Sequence, residues 1–154
     1  MAMRIIGLYV LLFLLGSCTV KERPVSYGSD DCSYCKMTIM DHRYGAELVT
    51  QKGKVHTFDA AECLIDYLYQ HEDLVSAASF ILVTSYTKPD QLIDARSATY
   101  LVSKAMPSPM GAYLTAFSSQ GTALEFQKEK AGNLYSWDEL FANFRSIKLG
   151  VIKE

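Results

Sequence analysis

Residues 32–37 read CSYCKM and place the sulfur atoms of Cys32, Cys35 and Met37 close together. Two thiols at this spacing can form a small disulfide, a redox pair or half of a zinc site, and with a thioether they can bind a soft metal. An extended backbone directs Cys35 and Met37 to one face, and a turn after Cys32 would bring its thiol to the same point. Spacing alone favours a soft-metal site and a disulfide or redox pair about equally.

Two of these interpretations lack support elsewhere in the chain. A zinc site usually needs a second pair of ligands at similar spacing, but the remaining candidates are scattered singly: His42, His56, Cys63 and His71. A thioredoxin-like enzyme places its cysteine pair at a helix start after a strand, whereas this pair follows a polar segment. A disulfide in so short a loop would add little stability and would be labile.

Further candidate ligands lie later in the sequence. Met110 stands between Pro109, which stiffens the backbone, and Gly111, which permits close approach, so its thioether suits a metal. Met106 and Met40 fit ordinary packing better. Cys63 lies on an apolar helical stripe, which predicts a small buried side chain, although the first turn of a helix could also present a third thiol.

His56 is a candidate nitrogen ligand. It lies in a predicted strand on the same face as Phe58, so it could point toward a site beside that strand.

The N-terminus predicts export and lipidation. Arg4 precedes an apolar run at residues 5–15, which rises about 16 Å as a helix and is too short to span a membrane. Small residues then precede Cys18, as in bacterial lipoprotein signals. We expect a signal peptide at 1–17, a lipidated tether at 18–29 that begins with Cys18, and a location on the outer membrane, facing the periplasm.

The remaining chain predicts one domain at 30–148 and a tail at 149–154. A net charge of −2 gives no electrostatic case for nucleic acid. Once Cys18 carries lipid, three cysteines remain, and an odd number cannot all pair within one chain. No catalytic motif stands out, so we expect a binding protein rather than an enzyme.

Hydrophobic periodicity predicts an α+β fold with two similar strand-strand-helix-strand halves and a C-terminal helix. Two Asp/Ser-x-x-Glu patterns, at Asp59–Glu62 and Ser136–Glu139, predict capping boxes at helix starts. Residues 91–97 are expected to form a loop or irregular strand. The predicted elements are strands at 46–50, 54–58, 79–85, 98–103, 111–117 and 133–135, and helices at about 59–72, 119–130 and from 137 onward.

Taken together, these motifs resemble the NosL family, copper-binding lipoproteins that accompany nitrous oxide reductase. The resemblance covers nearly the whole exported part and departs from the family at Gly45, where a small or apolar residue is common. It is carried by Tyr27-Gly28, Asp31-Cys32-x-x-Cys35-x-Met37-x-Ile39-x-Asp41, residues 43–48, Gly53-Lys54, Phe58-Asp59, Cys63, Asp94-Ala95, residues 98–102, Pro109-Met110-Gly111, Ala116-Phe117 and Gly132-Asn133.

The resemblance implies a lipid-anchored Cu(I) metallochaperone of the cell envelope. Its ligands would be Cys32, Cys35, Met37 and Met110, and its partners would be nitrous oxide reductase and the membrane accessory machinery of that enzyme. Whether Cys63 or His56 reaches the metal, and whether the chain forms a homodimer, stays open. The alternative is an exported thiol-disulfide oxidoreductase, or a reductant for a copper site, that uses Cys32 and Cys35.

Overall fold

Residues 19–153 are described in the computed structural model and form seven strands and four helices. The expected signal peptide and the lipidation site at Cys18 lie outside the described residues. The strands are β1 Ala46–Thr50, β2 Val55–Phe58, β3 Ala78–Thr84, β4 Leu92–Asp94, β5 Thr99–Val102, β6 Leu114–Phe117 and β7 Asn133–Tyr135. The helices are α1 Ala61–Gln70, α2 Asp73–Ala77, α3 Gln120–Lys130 and α4 Trp137–Lys153.

The two halves have the same topology. The first sheet has the order β2-β1-β3-β4 and the second β6-β5-β7, with all pairs antiparallel. In each half a hairpin is followed by a helix, and the next strand pairs with the free side of the hairpin's first strand. This confirms the predicted α+β fold of two similar halves and a C-terminal helix. Strand β4 is an addition to the first half, within the segment expected to be a loop or irregular strand.

One large apolar cluster joins the two halves. Leu48 of β1, Leu64 of α1, Tyr100 of β5 and Leu114 of β6 are all essentially buried in it, and Phe144 of α4 packs against the same cluster. Burying a Leu or Phe side chain stabilises a fold by about 1.5–3 kcal/mol. The halves therefore share a core and hold their loops in fixed relative positions.

The two predicted capping boxes have different outcomes. At α4 the prediction is confirmed, because Glu139 accepts hydrogen bonds from the amide and the hydroxyl of Ser136, and its own amide donates to Ser136 Oγ. At α1 it is wrong. The N-cap is Ala60 and no side chain caps the helix, because the carboxylate of Glu62 is buried and accepts hydrogen bonds from a distant loop instead.

The second part of the expected tether packs on the first sheet. The amide of Arg23 donates to Oε1 of Glu47 at 3.1 Å, the Arg23 guanidinium pairs with Asp30 at 2.8 Å, and Val25 lies in the core. At the other end, α4 continues through residues expected to form a tail. Within residues 19–153, no helix is long and apolar enough to cross a membrane.

Candidate metal centre

Residues 32–37, here called the cysteine loop, form a closed turn. The amide of Cys32 donates to the carbonyl of Met37 at 2.8 Å, and the residues flanking the loop pair as an isolated antiparallel bridge. The chain reverses at residues 33–35. The turn expected after Cys32 is therefore present, and it places Cys35 at the tip of a loop whose ends are Cys32 and Met37.

Hydrogen bonds to β2 hold the start of the cysteine loop on the first sheet, and one residue of the loop has a strained backbone. The amide of Ser33 donates to the carbonyl of Thr57 in β2 at 2.7 Å, and the Thr57 hydroxyl donates to the carbonyl of Asp31 at 3.2 Å. Lys36 has a φ of +66°, a left-handed conformation that costs a residue with a side chain about 1–2 kcal/mol. Such strain persists where the surroundings determine the backbone, so the loop is held in shape before any ligand binds.

Cys63 completes a group of three sulfur atoms. It lies in the first turn of α1, and the Sγ atoms of Cys32, Cys35 and Cys63 all lie within 4.8 Å of one another as free thiols. Cys32 and Cys63 are each 1% exposed, whereas Cys35 is partly exposed. The side chain of Cys63 is buried, as its apolar stripe predicts, and its thiol also adjoins the other two.

The three thiols differ in acidity. A hydrogen bond from the Cys63 thiol lowers the pKa of Cys32 to about 5, and the amides of Asp59, Cys35 and Tyr34 also donate to this sulfur. The same bond, together with burial, raises the pKa of Cys63, and burial raises the pKa of Cys35. Near neutral pH the group therefore holds one thiolate and two protonated thiols.

Of the two methionines expected to pack in the core, one does so and the other does not. Met106 is 3% exposed and packs in a small apolar cluster, but Met40 is 65% exposed and fills no core. Met37 is 48% exposed. Met37 and Met40 both line an open cavity of about 430 Å³ that residues 107–109 also line. The cysteine loop thus faces the segment that carries Met110.

Residues 106–111, here called the proline loop, lie between β5 and β6 of the second half. The amide of Gly111 donates to the carbonyl of Ser108 at 3.0 Å, and Gly111 has a φ of +72°, which a glycine adopts without strain. Met110 is partly buried against the cluster that contains Cys32 and Cys63. Its amide donates to Oε1 of Glu62, the residue before Cys63, at 3.3 Å. The structure thus brings Met110 to the helix turn that carries the third thiol.

His56 lies apart from the sulfur group. Its Nδ1 atom is 3.2 Å from the hydroxyl of Tyr67, and its ring lines a polar cavity of about 770 Å³ together with His71 and Lys54. Among residues 19–153, the three cysteines form the one group of His, Cys, Asp and Glu side chains close enough to share a metal ion. Burial lowers the pKa of His56, so the ring is neutral near pH 7.

Three sulfur donors with thioethers nearby suit a soft cation. Thiolate and thioether ligands match Cu(I), whereas a structural zinc site needs four ligands in a closed tetrahedron. The sulfur group is more specific than the spacing of the cysteine loop alone, because its third thiol comes from helix α1.

Comparison with known proteins finds relatives that bind copper. The sequence pattern that defines the NosL family matches residues 25–144 of this chain. The chain belongs to the NosL family. The copper-binding lipoprotein NosL of Stutzerimonas stutzeri is 30% identical over 144 residues, which cover 85% of this chain and 76% of that protein. The crystal structure of the copper chaperone NosL from Shewanella denitrificans superimposes with a TM-score of 0.68 at 25% identity, covering 79% of this chain and 96% of that one.

Sequence reasoning missed one residue of this NosL-family site. Glu62 was interpreted as a capping residue, yet its carboxylate accepts a hydrogen bond from Ser108, 46 residues along the chain. No local signal separates the two roles, since an acidic residue in the first turn of a helix is typical of both. The contact becomes visible only once the two halves are packed together.

Proposed function

We propose that this chain binds Cu(I) through Cys32, Cys35 and Cys63, assisted by Met37 and Met110, and carries it to a copper enzyme. The observation that carries the proposal is the approach of three free thiols to within 4.8 Å in a family whose named relatives are copper-binding lipoproteins and copper chaperones. Cu(I) is cargo in this proposal rather than a resident cofactor, because a carrier must release what it binds.

The arrangement supports both tight binding and release. Cys32 is already a thiolate, so the metal meets one charged ligand at once and displaces protons from the other two. The partly exposed Cys35 and Met37 lie at the surface, where a partner's sulfur can approach. Since Cu(I) accepts few ligands, the metal can pass from one sulfur set to another by ligand exchange.

An anaerobic Cu(I) titration against a chromophoric chelator tests the binding. We expect one copper per chain and a marked loss of affinity in Cys35→Ala and in Met110→Ala. Failure of the wild-type protein to compete with the chelator would contradict the proposal.

The proposed client is nitrous oxide reductase, reached through its membrane accessory machinery, with the carrier held by lipid at Cys18. Radiolabelled palmitate should enter the wild-type protein but not Cys18→Ser. Deleting the gene in a denitrifying host should lower the copper content of the reductase. A fully loaded reductase in the deletion strain would assign the copper to another client.

A second function has a specific observation in its favour. A thiol with a pKa near 5 beside two other thiols is typical of thiol-disulfide oxidoreductases. Such an enzyme should reduce the disulfides of insulin and be indifferent to Met110→Ala. A copper carrier should show the opposite pattern in both assays.

A further inference from the structure

Glu62 is a fully buried carboxylate with two hydrogen-bond donors from one loop. It is 1% exposed, and its Oε1 atom accepts a bond from the hydroxyl of Ser108 at 2.6 Å and from the amide of Met110 at 3.3 Å. Its Oε2 atom is also buried and has no hydrogen-bond partner among residues 19–153. Both donors belong to the proline loop, so this side chain connects α1 of the first half to the second half.

The energetics argue against a purely stabilising role. Acidic side chains are almost never fully buried unless they are paired, and no cationic group pairs with Glu62 in the described part of the chain. Moving a carboxyl group out of water costs free energy unless its oxygens are hydrogen-bonded, and Oε2 of Glu62 has no partner among the described residues. A buried acidic side chain at this position therefore lowers the stability of the fold.

The loop that Glu62 holds is the one that carries Met110. A second tie comes from the first half, where the Tyr44 hydroxyl donates to the carbonyl of Pro107 at 3.1 Å. The contact made by Glu62 differs from that made by Tyr44 in two ways. Glu62 accepts a hydrogen bond from the amide of Met110 itself, and it directly precedes Cys63 in α1. The two protein segments that bring Cys63 and Met110 together are thus joined through one side chain.

We infer that Glu62 is a positioning residue that sets the placement of the Met110 thioether relative to the three thiols. Its acceptor oxygen fixes the backbone of the proline loop on α1, so that the contributions of the two halves to the metal site keep one geometry. The inference rests on the proposed function, because it requires Met110 to bind the copper.

The test compares Glu62→Gln with Glu62→Leu in two backgrounds. Glutamine keeps the acceptor oxygen, whereas leucine fills a similar volume without one. Each variant is made in the full-length protein with Met110 and with Met110→Ala, and Cu(I) affinity is measured by anaerobic chelator competition. Hydrogen exchange of the Met110 amide is followed in the metal-free proteins.

We expect Glu62→Leu to weaken Cu(I) binding about 10–100-fold when Met110 is present, the range seen when groups that orient a metal ligand are removed. It should add no loss in the Met110→Ala background. Glu62→Gln should stay close to the wild-type affinity. The Met110 amide should exchange faster in the leucine variant only. If that variant does not fold, Ser108→Ala removes one of the two donors and should show a smaller loss with the same dependence on Met110.

Each contrary result has a distinct meaning. An equal loss in both backgrounds, or no loss with leucine, overturns the positioning role while leaving copper binding intact. If Met110→Ala alone has no effect, Met110 is not a ligand and the inference fails, although the thiol site stands. If the wild-type protein binds no copper, the proposed function itself fails.

Discussion

The Sγ atoms of Cys63 and Cys32 lie within 4.8 Å of each other, although the two residues come from separate parts of the first half. One stands at the start of the cysteine loop before β1, and the other in the first turn of α1 after the hairpin. This approach places a buried residue of an apolar helical stripe beside the thiols of the cysteine loop. It also determines how the group responds to mutation and pH.

Replacing Cys63 with alanine tests whether it binds the metal or only fills the core. Alanine suits a small buried position, so a packing role predicts near-normal Cu(I) affinity. We expect instead a loss of at least about tenfold in chelator competition, because even groups that merely orient a ligand contribute about 10–100-fold. Thermal unfolding of the metal-free variant provides the control for folding.

The metal-free protein should keep a thiolate well below neutral pH. With the pKa of Cys32 lowered from 9.0 to about 5, the thiolate is present above pH 5 and is lost as the pH falls through that value. Ultraviolet absorbance of the thiolate should follow this titration. In Cys63→Ala the principal donor is gone, so the midpoint should move upward. A wild-type midpoint near that of an ordinary thiol would contradict the hydrogen bond.

Copper affinity should rise with pH above neutrality. The pKa values of Cys35 and Cys63 are raised, so both remain protonated there and must lose a proton when the metal binds. Chelator competition at several pH values measures the number of protons released. Wild type should release more protons than Cys35→Ala, in which the Cys63 thiol still lowers the pKa of Cys32. Identical slopes would exclude Cys35 from the ligand set.

Met37 and Met40 form a matched pair for testing the thioether. Both are exposed and line the same cavity beside the proline loop, but only Met37 belongs to the closed turn of the cysteine loop. Met37→Ala should lower Cu(I) affinity, whereas Met40→Ala should leave it unchanged. Equal effects would indicate that the cavity, rather than a specific thioether, attracts the metal.

Two glycines near α3 should respond to alanine in opposite directions. Gly132 has a φ of +105°, and a β-carbon there would overlap the carbonyl oxygen of Val102, so Gly132→Ala should destabilise the fold by more than about 1 kcal/mol. Gly121 lies in α3, where the nearest atom to a β-carbon is Ser119 Oγ at 4.0 Å. Gly121→Ala should stabilise by up to about 1 kcal/mol. Urea unfolding measures both changes.

Local patterns were sufficient to predict most elements. The bounds of β1 and β7 are the ones predicted from the sequence pattern and its flanking turn residues. Helix α3 ends at Lys130, as predicted from the glycine at position 132. The short β4 was not predicted as a regular strand, because three residues carry too little periodicity and its pairing with β3 depends on tertiary contact. The break between α1 and α2 at His71 was likewise missed.

The site was predicted less completely than the fold. The cysteine loop could be interpreted from spacing because its residues are neighbours in sequence. The approach of Cys63 and the bond from Glu62 to the proline loop depend on how helices and loops pack across the core, which no sequence window contains. The metal roles of Cys32, Cys35, Met37, Met110, Cys63 and His56 remain predictions.

The three thiols differ in burial, so only one side of the group is open to solvent. Cys32 and Cys63 are enclosed by the core, while Cys35 stands at the tip of its loop and remains partly open to solvent. For the proposed copper carrier, a partner that takes the cargo would therefore make its first bond on the Cys35 side and detach that thiol before the inner two. Under that proposal, the burial of the thiols sets the order of ligand exchange, from the exposed thiol to the two buried ones.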